Sequence, residues 1–340
     1  MATTDTVATN APPVPSFVAA KVSAEALTER FMQVVLLFAT LVSASGVIFV
    51  FIFVLREAWP AIAHNGTSLI TTIGWDNQIR VAYHSGSWQF GLLELIVGTA
   101  ATTLGALVFT LFIGLASAIV LVEYAPVSVS RPLESVVRLL AGFPSVVFGL
   151  LGIAVVAPWV ANTLITDQLQ TKYLFISKGQ CLLAAIFVLT FMIMPFFVSV
   201  AVDSLRAVPN SYRLAGHALG LPKWQVATRI VLPSASAGVL AGLVLAAARG
   251  VGEAVAMAMV SGSTAHIPAL SSGIFSVLEP VRTLAAGIID NSEAVDNPQI
   301  LSAMYMCATL ILLTSMVLSI IARIITASFK RRMRLMTEAA

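Results

Sequence analysis

Two ionisable residues four positions apart, Arg249 and Glu253, lie within the apolar run SASAGVLAGLVLAAARGVGEAVAMAMVSG that starts at Ser234. An unpaired charge near the middle of a membrane helix costs about 2.5–3.5 kcal/mol even on the lenient insertion scale, so such residues need a partner or a purpose. Helix residues four apart share a face, and the spacing therefore predicts an Arg249–Glu253 ion pair. Mutual neutralisation lowers the cost of holding both groups in a low-dielectric site. The planar donor fork of arginine suits oxyanions, and a carboxylate beside it would keep a bound anion from being retained. The competing reading is a pair that only sets helix packing, which the small residues Gly238, Gly242, Ala246, Gly250 and Gly252 would suit equally well.

Other chemistry is sparse. No G-x-x-x-x-G-K-[ST] loop occurs, so the sequence lacks the phosphate cradle of a P-loop ATPase. His64, His84, His217 and His266 are scattered, with neither H-E-x-x-H nor cysteine partners at zinc spacing, and no Ser-His-acid elbow is recognisable. Cys181 and Cys307 fall in apolar runs without paired spacing and read as small packing residues. Glu279, Asp290, Glu293 and Asp296 match no calcium loop and read as a solvated acidic loop. The sequence thus predicts no enzyme, no bound metal and no cofactor in this chain.

The elements that must position Arg249 and Glu253 are membrane helices. Of 340 residues, 58% are apolar and only 10% charged, against about 25% charged in a soluble domain; mean hydropathy is +0.94. Spans need about 20 apolar residues, and six candidates occur, at 31–55, 90–122, 145–163, 181–202, 234–261 and 300–326. They are too continuous for barrel strands, so the expected class is an all-α membrane protein. Lys and Arg concentrate in alternate loops and at both ends, which places both termini in the cytoplasm. The net charge of +3 reflects that bias and is no sign of nucleic-acid binding. Residues 1–24 read as a disordered cytosolic tail, 25–329 as one membrane domain and 330–340 as a basic cytosolic tail. Trp59, Trp75 and Trp88 read as an aromatic belt at the water boundary, and Pro195 as a kink in the fourth span.

Before the fifth span comes a polar stretch, 203–233. Ser211 suits the N-cap of a short helix through Leu219, Gly220 the left-handed turn after it, and Pro222 the first turn of a second short helix, with Pro233 marking entry into the span. The result is a knob projecting into the cytoplasm.

Residues 212–233, YRLAGHALGLPKWQVATRIVLP, resemble the EAA loop of ABC-importer permeases: Ala215, Gly220, Ile230, Leu232 and Pro233 match, while Leu214 stands in place of the usual Glu and Gly216 in place of the second Ala. The segment from Arg249 through Glu253 to Gly262 is similar to the R-x-x-G-E segment of phosphate-importer permeases. VEYAP at 122–126 and LLAGFPSVVFGL at 139–150 are similar to the C-type (PstC) branch of that family. The resemblance implies a type I importer (MetI-like) core in the bacterial cytoplasmic membrane. It implies a second, PstA-like permease, two cytosolic ABC ATPases carrying ATP and magnesium, and an external phosphate-binding protein. Tyr212, Arg213, Leu214, Ala215, Gly216, Gly220, Lys223 and Trp224 would form the ATPase-coupling surface. Arg249 and Glu253 would border the phosphate path, phosphate displacing Glu253 from Arg249 in passage. A permease for another oxyanion and an ion-coupled secondary carrier are the alternatives.

Overall fold

In hydrocarbon every backbone N–H and C=O must be satisfied within the chain, and a lone apolar segment does this only as a helix. The computed structural model describes residues 16–165 and 179–338, and among them regular structure is helical, with a single isolated bridge between Gly262 and Val281. Among the described residues, six helices are long and apolar enough to cross a membrane.

Helix α1 covers Ser16–Asn65. It begins inside the stretch expected as a tail and extends beyond the expected end of span one, so that Trp59 lies on it. By contacts the chain divides into Met1–Phe53 and Val54–Ala340. The first unit holds the N-terminal part of α1, whose apolar side chains from Phe31 to Val50 are exposed. The second holds the other five spans. After α1 come the short helices α2 (Ser68–Thr71) and α3 (Trp75–Ser85). Trp75 is fully buried and therefore no belt residue. It opens α3, where Glu94 accepts hydrogen bonds from the N–H groups of Gly74 (3.0 Å) and Trp75 (3.1 Å), satisfying donors that a helix start leaves free.

Span two is α4, Leu93–Tyr124, which passes through π-turns at Thr110–Gly114 and Val120–Tyr124 before Pro126 ends it. The amphipathic α5, Val127–Ala141, follows, and Gly142 and Pro144 separate it from span three, α6, Ser145–Leu164. Lys172 and Lys178, which follow span three in sequence, lie outside the described residues. Span four, α7, is Leu182–Arg206, and it continues as one helix through Pro195. Then come α8 (Asn210–Ala218), span five α9 (Lys223–Val251), a separate short helix α10 (Val255–Val260), a 3-10 stretch Leu270–Leu278, α11 (Leu284–Asp290), and span six within α12, Pro298–Glu338. Five spans lie where hydropathy placed them, to within a few residues at most ends. The fifth starts eleven positions earlier than expected, at Lys223, and stops at Val251.

Helix α7 is the hub. Leu189, Met192, Ile193, Phe197, Ala201 and Leu205 are buried along it and join Ala106 of α4, Val231 and Val239 of α9 and Met257 of α10 in one core. Small residues set the α7–α9 distance: a Cβ on Gly238 would lie 2.5 Å from Ser204 Oγ, and one on Gly242 2.8 Å from Val200 Cγ1. Gly250 and Gly252 have no such close neighbour, so packing does not account for them. A second core gathers Trp75, Phe90, Leu95, Leu284 and Ile300. Cys181 and Cys307 are buried free thiols, as expected of packing residues.

The acidic loop differs from expectation. Glu293 and Asp296 are exposed, but Glu279 is buried and accepts from Ala269 N–H (2.9 Å) beside His266 Nε2 (2.8 Å). Asp290 meets Arg282 Nε at 3.0 Å. Burial, the largest influence, pushes the Asp290 carboxyl above its usual range, against the opposing pull of Ser263 and Arg282. The buried Arg282 also bonds Asp76 and the carbonyl of Ser263. This cluster ties α3, α11 and the segment after α10 together at the end of α7 remote from α8.

Candidate functional site

Arg249 lies in the last turn of α9, where the helix's unpaired carbonyls favour a cation. It does not pair with Glu253. Helix α9 ends at Val251, and Glu253 N–H turns back to Gly250 O at 3.2 Å; the residues no longer sit on one helical face. The Gly250-Val251-Gly252 sequence permits that stop, because glycine gives a helix interior little support. Glu253 accepts instead from Ala256 N–H (3.3 Å) and so caps α10. The Arg249 guanidinium is exposed, donates to the carbonyl of Ala141 at the end of α5 (3.4 Å), and lies 5.9 Å from the ring centroid of Phe196 on α7, within cation–π range.

The other end of α9 forms the knob. Pro209, not Ser211, precedes the first helical residue of α8. Its ring fixes φ in the value this position uses (φ −57°, ψ 143°), which moves the helix start one residue ahead of the expected cap. Gly220 adopts φ +75°, and the chain closes on itself through Gly220 N–H to His217 O (2.9 Å) and Leu221 N–H to Gly216 O (3.2 Å), a glycine-terminated helix end. The expected second short helix does not stand apart. From Lys223 the chain continues through a π-turn, Val226–Val231, and past Pro233 into the span. The wider turn accommodates the proline, and Ser234 Oγ donates to Ile230 O (2.6 Å), occupying a carbonyl in the irregular stretch.

Helix α8 is seated on the base of α9. A Cβ on Gly216 would come within 2.7 Å of Ile230 Cδ1 and 3.0 Å of Val226 Cγ2; the alanine expected there would not fit without a shift. Tyr212 packs against the core from the same helix. Arg213 donates from Nε (3.1 Å) and Nη2 (2.8 Å) to Glu123 Oε1, from Nη1 to Val208 O (2.7 Å) and from Nη2 to Leu205 O (2.9 Å). Leu214, Ala215, Lys223 and Trp224 face outward, and Leu219 joins them; Leu214 is 64% exposed and Leu219 79%. Two further pairs brace the knob's surroundings: Glu134 of α5 with Arg206 of α7 (2.8 Å from Nη1), and Arg138 with Asp203 (3.5 Å). Sequence reading did not assign Glu123, Glu134 or Asp203. Its one available signal was that these acids and their arginines all fall in segments expected on the same face of the membrane.

Residues 110–335 match the family described as binding-protein-dependent transport system inner membrane component. This chain belongs to that family. Among relatives of this transport family, a phosphate transport system permease protein PstC from Mesorhizobium japonicum is 30% identical over 77% of this chain and 79% of its own. A phosphate transport system permease protein PstC 1 from Mycobacterium tuberculosis is 32% identical over 70% and 74%. A chain of the MetNI methionine ABC transporter in an inward-facing conformation aligns with 67% of this chain and 93% of its own, at 18% identity and a TM-score of 0.46. With six candidate spans, the protein is a multi-pass membrane permease of this family.

Proposed function

We propose that this chain is one of two permease subunits of an ATP-driven importer that carries inorganic phosphate into the bacterial cytoplasm by alternating access. The observation that carries the reading is α9: one continuous 29-residue helix runs from the knob past Arg249, which lies about 39 Å along it from Lys223 at a rise of about 1.5 Å per residue. The names of the relatives supply the substrate class.

An exposed guanidinium on a membrane span is tolerated where it borders water or a partner, not acyl chains. In the assembled importer Arg249 lines the phosphate path, formed with a second, PstA-like permease. Glu253, at the break, borders the same path and keeps negative charge near it, so that the anion is passed on and not held. The lysine and arginine bias puts the knob in the cytoplasm. There Leu214, Leu219 and Trp224 offer apolar and aromatic surface of the kind interface centres use, with Tyr212, Arg213, Ala215, Gly216, Gly220 and Lys223 shaping it. The partner is one of two cytosolic ATPases, which bind ATP and magnesium; an external binding protein delivers phosphate. With Leu214 at the usual glutamate position, the ATPase contact here is apolar.

The test is ATP-driven uptake by the complex reconstituted in liposomes. Arg249→Gln is expected to abolish most phosphate uptake while the complex still assembles. Unchanged uptake would remove Arg249 from the path, and uptake competed by sulfate as strongly as by phosphate would overturn the substrate class.

A further inference from the structure

We infer that Glu123 is a positioning residue for energy coupling: its ion pair with Arg213 latches the knob to the end of span two, giving the ATPases a second lever besides α9. This rests on the transport reading above.

The pair joins residues 90 positions apart, one in the last turn of α4 and the other on α8. It is no ordinary surface pair, since only 13% of the Glu123 side chain and 16% of the Arg213 side chain are exposed. Exposed pairs contribute little, whereas a shielded, hydrogen-bonded pair holds its geometry. Arg213 spends its remaining donors on the carbonyls of Leu205 and Val208, at and just beyond the end of α7. One guanidinium thus fixes three parts of the chain: the end of span two, the end of span four and the helix of the knob. Gly216, one turn further along α8, seats the same helix on Val226 and Ile230 of α9.

Two consequences follow from this arrangement. Helix α8 cannot be displaced as a rigid piece without moving α4 or breaking a shielded ion pair. And α4 is the span that continues to the far end of the molecule, where Thr99 Oγ1 accepts from Leu284 N–H of α11 (2.8 Å) and Glu94 caps α3. The latch therefore gives the knob a route along span two to the region of α3 and α11, while α9 carries the push to Arg249. Coupling between distant sites needs a physical element that both bias, and α4 is such an element.

The experiment measures phosphate imported per ATP hydrolysed in the full reconstituted complex, unsubstituted and with Glu123→Gln, an isosteric change that keeps an acceptor and removes the charge. The expected result is normal assembly and ATP hydrolysis with phosphate per ATP lowered about fivefold or more, the scale of a modest coupling between sites. A merely structural role would lower uptake and hydrolysis together, and an unchanged ratio overturns the latch. If Glu123→Gln does not assemble, Arg213→Lys decides: lysine keeps the charge but not the fork that reaches all three partners, and the same fall in the ratio is expected, its absence being the refutation. Failure of the unsubstituted complex to import phosphate with ATP would instead overturn the transport reading, and the latch with it.

Discussion

At the scale of single residues, Arg249 and Glu253 show how far a charge in an apolar run can be read. The cost of burying either one marked both positions without any structure, and both lie where the span ends or breaks. Their pairing was not legible. The argument from four-residue spacing presumes an unbroken helix, and Gly250 and Gly252 are where that presumption fails. Glu253 now has a defined local role, which yields a prediction. Glu253→Ala removes the acceptor for Ala256 N–H and is expected to cost about 1 kcal/mol, the usual value of a lost N-terminal cap, whereas Glu253→Gln keeps an acceptor and stays near wild type. Thermal unfolding in detergent separates the two. Asp290 allows a second prediction. Because burial raises its pKa, stability from its protonated form is present below the ordinary Asp range and lost as pH rises through the raised value. Asp290→Asn is expected to remove that dependence, leaving a melting temperature that changes less between mildly acidic and neutral pH.

At the scale of elements, the knob was legible in outline and wrong in its joints. Gly220 takes the left-handed turn expected of it, and α8 is a short helix. Pro233, however, does not interrupt α9, because the π-turn before it and Ser234 absorb the defect. Proline rules alone could not reveal this. The seat of α8 was equally hidden: Gly216 looked like a departure from a pattern and turns out to be the point of closest approach. Gly216→Val is expected to destabilise by about 1–3 kcal/mol through overpacking and to reduce recovery of the ATPase with the complex; co-purification in detergent measures it. Arg282 stands at the opposite end of α7. Arg282→Met leaves the largely shielded Asp290 without its cation and is expected to cost about 1–3 kcal/mol, read as lower thermal stability with no change in ATPase recovery.

At the scale of the whole molecule, hydropathy located the six spans because lipid imposes one simple demand on each. It could not rank them. That α7 is the most buried span while α1 presents an exposed apolar surface depends on which small residues meet, such as Gly238 with Ser204, and no single-chain pattern states that. The long-range acids were invisible for the same reason: Glu123 and Arg213 become neighbours only once the ends of spans two and four have packed together. What emerges is a molecule in which α9 runs from the knob to Arg249 and the Glu123–Arg213 pair ties the knob to the end of span two.

The claim at the centre of this account is that nucleotide events at the knob change the surroundings of Arg249. Gly252 offers a reporter next to it, since a Cβ there meets only Arg249 O at 3.8 Å, and the native thiols are buried. The measurement is the labelling rate of Gly252→Cys by a charged thiol reagent in the reconstituted complex, with and without ATP. A rate that changes several-fold on ATP binding is expected, and equal rates in a complex that still imports phosphate would contradict the account.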